Sequence, residues 1–141
     1  MVNGEYWLAD ALQMTIDGGE KLQTFPVEHW YDCGTPEALL RANRALLDHD
    51  PPRPVSIPGS VIIPPSSIAE TAVVEGSILG PYVTVAEGAR VINAVIQESI
   101  INANARAENV LLEHSIIGDN ASITGRRGRI NLGDSSEIEV S

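Results

Sequence analysis

The sequence predicts a mainly β protein, a parallel β-helix of about four coils, preceded by a small α/β segment of two helices and a short strand pair. Three observations predict it. First, Ile62, Ile68, Val74, Leu79, Val85, Val91, Ile96, Ile101, Ala107, Leu112, Ile117 and Ile123 form a series of twelve apolar residues, each five or six positions after the last. Neither the helical period of about 3.6 nor the strand period of about 2 generates that series. A coil with three flat faces does, because each face contributes a short strand and sends one aliphatic side chain inward before a tight corner. Second, small residues and asparagines flank these positions, among them Gly76, Gly80, Gly88, Ala121, Asn93, Asn102, Asn104, Asn109 and Asn120. Glycine and asparagine tolerate the left-handed backbone that such corners demand. Third, the two halves differ in composition, since five of the six aromatic residues lie in the first 31 positions and only Tyr82 lies beyond. A β-sandwich would instead space its strands about 8 to 12 residues apart, with wider alternation than this chain carries.

In chain order, Leu8, Leu12 and Ile16 stand four apart and Gly18-Gly19 follow them, which predicts a short amphipathic helix over residues 5 to about 17. Residues 21 to 27 alternate (Leu22, Thr24 and Pro26 against Gln23, Phe25 and Val27), and Pro26 confines them to an edge strand. Thr35 suits an N-cap, Pro36 the first helical turn and Glu37 the positive helix end, with Leu39, Leu40, Leu46 and Leu47 as the apolar stripe of a helix over about 36 to 48. Four prolines between residues 48 and 58 can continue neither a helix nor a sheet. The expected organisation is therefore 1–50 as the α/β segment, 51–58 as a Pro-rich linker and 59–141 as the β-helix. The open coil ends need covers, and we expect the helices at one end and residues 129–133 at the other.

Composition narrows the function. A net charge of -10 disfavours nucleic-acid partners, whose phosphates it repels. The only cysteine, Cys33, has no intrachain partner, and the first residues show neither the basic start nor the apolar stretch of a signal peptide, so a reducing cytoplasmic location is expected. No apolar run approaches the roughly 18 to 20 residues that span a bilayer.

Motifs add a resemblance. The hexapeptide pattern, with Ile78-Leu79-Gly80-Pro81-Tyr82-Val83 and Ile117-Gly118-Asp119-Asn120-Ala121-Ser122-Ile123, resembles the left-handed parallel β-helix family, which is where the handedness comes from. Gly4-Glu5-Tyr6-Trp7-Leu8-Ala9-Asp10-Ala11 and Trp30-Tyr31-Asp32-Cys33-Gly34-Thr35-Pro36-Glu37-Ala38-Leu39-Leu40-Arg41-Ala42-Asn43 resemble the last part of the catalytic domain of sugar-phosphate nucleotidylyltransferases. The nearest type is the longer glucose-1-phosphate thymidylyltransferase with a C-terminal β-helix, whose tail also resembles Asn131-Leu132-Gly133-Asp134-Ser135-Ser136-Glu137. Ala9 departs from the pattern, standing where the family carries a hydroxyl residue.

The resemblance implies condensation of a nucleoside triphosphate with a sugar 1-phosphate, by Mg²⁺-assisted in-line attack at the α-phosphorus with release of pyrophosphate. It implies Asp32 as one of two metal-binding carboxylates, and neither the second carboxylate nor the family's glycine-rich triphosphate loop has a counterpart here. A lone carboxylate holds Mg²⁺ weakly, because the ion keeps its waters unless several ligands converge. The chain alone is therefore expected to be inactive, with no catalytic residue assigned and substrate-binding residues unknown. The β-helix is expected to serve oligomerisation or regulation, a homo-oligomer such as a trimer being implied by resemblance. Sugar phosphate and triphosphate are expected partners only of an intact parent protein, Mg²⁺ its cofactor, and no nucleic acid or membrane is expected as a partner.

Two rival readings remain. A free-standing β-helix scaffold needs no chemistry at all. A small hexapeptide acyltransferase would use His114 as general base, although no long loop interrupts the repeat to wall a coenzyme groove. A zinc site built of three histidines would need His29 and His49 to meet His114, and both lie outside the repeat. Cys33 has neither a basic neighbour nor a second cysteine to activate it. Arg126, Arg127 and Arg129 form a basic spot suited to a solvated turn or an acidic partner, and Glu5 and Asp10 suit the positive end of the first helix.

Overall fold

The computed structural model describes residues 7–125 and 131–140. The chain divides into two compact units, residues 1–30 and 31–141, so the boundary expected at 51–58 falls inside the second unit. Of the sequence readings, Glu5 and the cluster of Arg126, Arg127 and Arg129 lie outside the described residues.

The first unit holds helix α1 (Leu8–Asp17). It stops where expected: the Gly18 and Gly19 N–H groups donate to Met14 and Ile16 carbonyls at 3.0 and 2.9 Å, and Gly19 takes a φ of 85° that a side chain would resist. None of its residues is buried, and Trp7, Leu8, Leu12, Met14, Ile16, Phe25 and Trp30 are all exposed. The strand expected over 21–27, and with it the strand pair of the α/β segment, is not formed, these residues being irregular. A strand exists only through a hydrogen-bonded partner, and no partner strand lies in this unit among the described residues.

The second unit begins with α2 (Pro36–His49), capped by the Thr35 hydroxyl, which accepts from the Ala38 N–H at 3.2 Å. The Pro-rich stretch follows without regular structure. Then come four coils. The first carries β1 (Val61–Ile62), β2 (Ser67–Ile68) and β3 (Val73–Glu75), and the second β4 (Ile78–Leu79), β5 (Thr84–Val85) and β6 (Arg90–Ile92). The third carries β7 (Val95–Gln97), β8 (Ile100–Ile101) and β9 (Arg106–Glu108), and the fourth β10 (Leu111–Glu113), β11 (Ile116–Ile117) and β12 (Ser122–Gly125). Strands β13 (Asn131–Leu132) and β14 (Glu137–Val140) extend two of the faces. Three parallel sheets result, ordered β1-β4-β7-β10, β2-β5-β8-β11-β13 and β3-β6-β9-β12-β14.

The twelve-residue apolar series is the interior. Ile62, Leu79, Ile96 and Leu112 are in register on the first sheet; Ile68, Val85, Ile101 and Ile117 on the second; Val74, Val91, Ala107 and Ile123 on the third. From Leu79 to Ile123 these residues are essentially inaccessible, while Ile62 and Ile68 of the first coil are half-buried. Ile57 of the Pro-rich stretch packs against this core, whereas α2, expected at a coil end, lies along the second sheet.

The corners explain the mixed spacing. The step from second to third sheet is always six residues and from third to first always five, whereas the step from first to second is six in the first two coils and five in the last two. At the third-to-first corner Gly76, Asn93 and Asn109 share positive φ, and at the second-to-third corner Gly88, Asn104 and Asn120 do. The asparagines also form ladders, Asn93 Nδ2 donating to Asn109 Oδ1 and Asn104 Nδ2 to Asn120 Oδ1, both at 3.4 Å. Buried Ser66, Ser77, Ser99 and Ser115 satisfy corner backbone: Ser77 Oγ donates to the Glu75 carbonyl at 2.7 Å and accepts from the Ala94 N–H at 3.0 Å.

Candidate functional site

The remaining corner, between the first and second sheets, is built differently. Besides Gly80 (φ 107°), its left-handed positions hold Tyr82 (φ 60°), Glu98 (φ 45°) and His114 (φ 49°), one in each of the second, third and fourth coils, where the other corners place glycine or asparagine. Bulky residues take this conformation only against a steric penalty, and such backbone gathers at functional positions.

Helix α2 covers this corner. The Asn43 side-chain amide donates to the Tyr82 carbonyl at 3.3 Å and accepts from the Thr84 hydroxyl at 2.6 Å, fixing the middle of the helix to the second coil. One residue on, the Arg44 guanidinium stacks 4.1 Å from the centroid of the Tyr82 ring and lies 3.4 Å from both Glu98 carboxylate oxygens. The helix start lies near the fourth coil, where Pro36 and Leu39 share a hollow with Ile116. Between helix and corner opens a cleft of about 260 Å³, lined by Glu37, Leu40, Arg41, Arg44, Tyr82, Glu98 and His114. His114 Nε2 stands 3.1 Å from Glu98 Oε2 and its Nδ1 3.5 Å from Glu113 Oε1. Both ring nitrogens thus face carboxylates.

Asp32 sits in the loop that enters α2. It is exposed, and its Oδ1 accepts from the Gly34 N–H at 2.9 Å, a local turn that leads into the Thr35 cap. Among the described residues no three His, Cys, Asp or Glu side chains converge as metal ligands. Asp32 thus offers one exposed carboxylate, and a lone carboxylate holds Mg²⁺ weakly because the ion keeps its waters unless several ligands converge. Cys33 is exposed, with its Sγ 3.9 Å from the Tyr31 carbonyl oxygen, and Asp10 lies in the first turn of α1. No described helix is long and apolar enough to cross a membrane.

Sequence reasoning singled out His114 but missed Arg41, Arg44, Tyr82 and Glu98 around it. The signal was present in the repeat: at the offset where two corners carry glycine or asparagine, the third carries Tyr, Glu and His.

No protein-family model matches the chain. Among curated proteins it is similar to glucose-1-phosphate thymidylyltransferase from Streptomyces antibioticus, 26% identical over 97% of this chain and 46% of the relative. The same enzyme from Streptomyces griseus is 26% identical over 98% of this chain and 46% of that protein. Glucose-1-phosphate adenylyltransferase from Bacillus thuringiensis (strain Al Hakam) is 31% identical over 77% of this chain and 34% of its own length. The chain spans about half the length of the thymidylyltransferases it matches. In sequence along nearly its whole length, and with a β-solenoid preceded by two helices, the chain is similar to the C-terminal part of sugar-1-phosphate nucleotidylyltransferases.

Proposed function

We propose that this chain serves as the C-terminal part of a sugar-1-phosphate nucleotidylyltransferase, with the β-helix holding the catalytic assembly together. In that reaction the sugar-phosphate oxygen attacks the α-phosphorus of a nucleoside triphosphate, the bond to the β-phosphate oxygen breaks, and pyrophosphate leaves with the nucleotide sugar as product. Mg²⁺ would offset the charge developing on the phosphates, with Asp32 as one ligand beside others from outside this chain. Nucleotide-sugar synthesis draws on cytoplasmic nucleoside triphosphates, and we place the protein there. The observation that carries this reading is the apolar surface of residues 7–30, where Trp7, Leu8, Met14, Phe25 and Trp30 are 58 to 80% exposed and await the cover that a fuller α/β domain supplies.

The test compares two preparations. The purified 141-residue chain should release no pyrophosphate above a blank lacking protein, from glucose 1-phosphate and Mg²⁺ with dTTP or ATP. Protein isolated through a tag at its native locus, with whatever chain it is joined or bound to, should release it. Asp32→Asn should lower that rate by about two orders of magnitude, the size of effect seen when a group that offsets transition-state charge is lost. Asn keeps the oxygen that Gly34 donates to, so the loop is preserved. Inactive protein from the native locus would refute the proposal.

The β-helix also offers a surface for self-assembly, a trimer being our expectation. Val61, Ile78, Val95 and Leu111 are in register on the outside of the first sheet, and the first three are 40 to 54% exposed. The third sheet presents Arg90 and Arg106 at the matching place, so the bare aliphatic row singles out one face. Val95→Glu should convert the assembled protein to monomers in light scattering while leaving its circular dichroism unchanged. An unaltered mass would remove this face from the interface.

A further inference from the structure

We propose that the cleft between α2 and the Tyr82-Glu98-His114 corner binds a phosphate monoester, its phosphate held by Arg41, Arg44 and His114 in the place the Glu98 carboxylate fills in the free protein. Arg41 and Arg44 are three residues apart, so they share one helix face, and both line the cleft. The Arg41 side chain makes no hydrogen bond or ion pair among the described residues, and the residue is exposed. Arg44 is held in position by the Tyr82 ring, yet its contacts to Glu98 are long, at 3.4 Å, between side chains 50% and 32% exposed. Exposed pairs of that kind exchange readily for a better-matched anion. A phosphate is such an anion, because guanidinium forks meet its oxygens in pairs.

Glu98 is the intramolecular stand-in. Its carboxylate accepts from Arg44 and stands 3.1 Å from His114 Nε2, the contacts a ligand phosphate would take over. Leu40 and the Tyr82 ring supply an apolar wall for the organic part of the ester. Glu37 lines the cleft as well, so the two arginines are balanced by two carboxylates in the free protein and the phosphate must displace Glu98 to be held. The proposal does not depend on nucleotidyl transfer, since every residue it uses lies in this chain and its readout is binding.

The experiment is a calorimetric titration of the 141-residue protein at low ionic strength with inorganic phosphate, ribose 5-phosphate and thymidine 5′-monophosphate, with ribose and thymidine as unphosphorylated controls. Both monoesters should bind saturably and more tightly than inorganic phosphate, and the preference between them tells whether a sugar or a nucleoside occupies the wall. Arg41→Gln, at an exposed position, should weaken binding about tenfold or more through loss of a charge-assisted contact. Glu98→Gln should tighten it, because the competing carboxylate is gone. The proposal is overturned if neither monoester binds, if ribose or thymidine binds as well as its phosphate, if Arg41→Gln binds as the unaltered protein does, or if Glu98→Gln binds no more tightly.

Discussion

Ile101→Ala should lower the unfolding free energy by about 3–4 kcal/mol in urea titration, whereas Ile62→Ala should lower it by about 1 kcal/mol. The difference follows from place in the stack. Ile101 is fully buried, and its register neighbours are Val85 in the coil before and Ile117 in the coil after. Its own coil is filled by Ile96, Ile101 and Ala107, so two isoleucines must occupy a cross-section to which the third face contributes only a methyl group. Truncating one of them leaves a cavity that a rigid, hydrogen-bonded coil cannot collapse around. Ile62 is half-buried in the first coil and has a strand neighbour on one side only. In a solenoid each coil is stabilised by the ones above and below, so an end position loses less. Equal losses for the two variants would contradict nearest-neighbour stacking as the source of stability.

The same stacking decides what could be read from the chain beforehand. All twelve residues of the five-or-six series point inward, because a face of two or three residues has room for one inward side chain and the next face repeats it. The mixed spacing was the ambiguous part, and three-dimensional register resolves it into two corners of fixed length and a third that shortens by one residue after the second coil. Helix α2 was legible because Thr35, Pro36 and Glu37 act locally on the backbone that follows them. The strand over 21–27 was misread for the complementary reason: alternation describes one strand, and a strand forms only with a partner the local pattern does not mention. Leu46, placed in the apolar stripe of α2, is 57% exposed, while Ala42 and Leu47 are buried, so the stripe was right in kind and rotated in detail. Around the cleft, Arg44, Tyr82, Glu98 and His114 lie too far apart in sequence for any local motif to join them. They meet because one coil brings each corner residue above the last and a helix from before the repeat lies across them.

Gly80→Ala should be the most damaging glycine substitution in the solenoid, costing about 3 kcal/mol or more, against about 1 kcal/mol for Gly59→Ala. Both glycines have positive φ, 107° at Gly80 and 77° at Gly59, so both variants carry backbone strain. Around Gly59 a new Cβ meets nothing within 4 Å. At Gly80 it runs into the carbonyl oxygen of Ile63, with the Ser66 Oγ at 2.6 Å. Neither can step aside: the Ile63 N–H donates to the Leu79 carbonyl at 2.7 Å, and Ser66 Oγ donates to the Ile63 carbonyl at 2.8 Å while accepting from the Val83 N–H at 3.3 Å. Relief therefore requires the first coil to separate from the second. At Gly76 the obstacle is only the Asn93 Oδ1 at 2.8 Å, the end of a side chain that can rotate, so Gly76→Ala should fall between the other two. Because α2 is anchored at the Tyr82 carbonyl, two residues beyond Gly80, the damage should reach the cleft. Hydrogen exchange on Gly80→Ala should show protection lost over residues 61–85 and at the Arg44 end of α2, with the coils carrying Ile101, Leu112 and Ile117 still protected. Uniform loss across all coils would mean that the solenoid unfolds as one cooperative body and that the first coil is not a separable end.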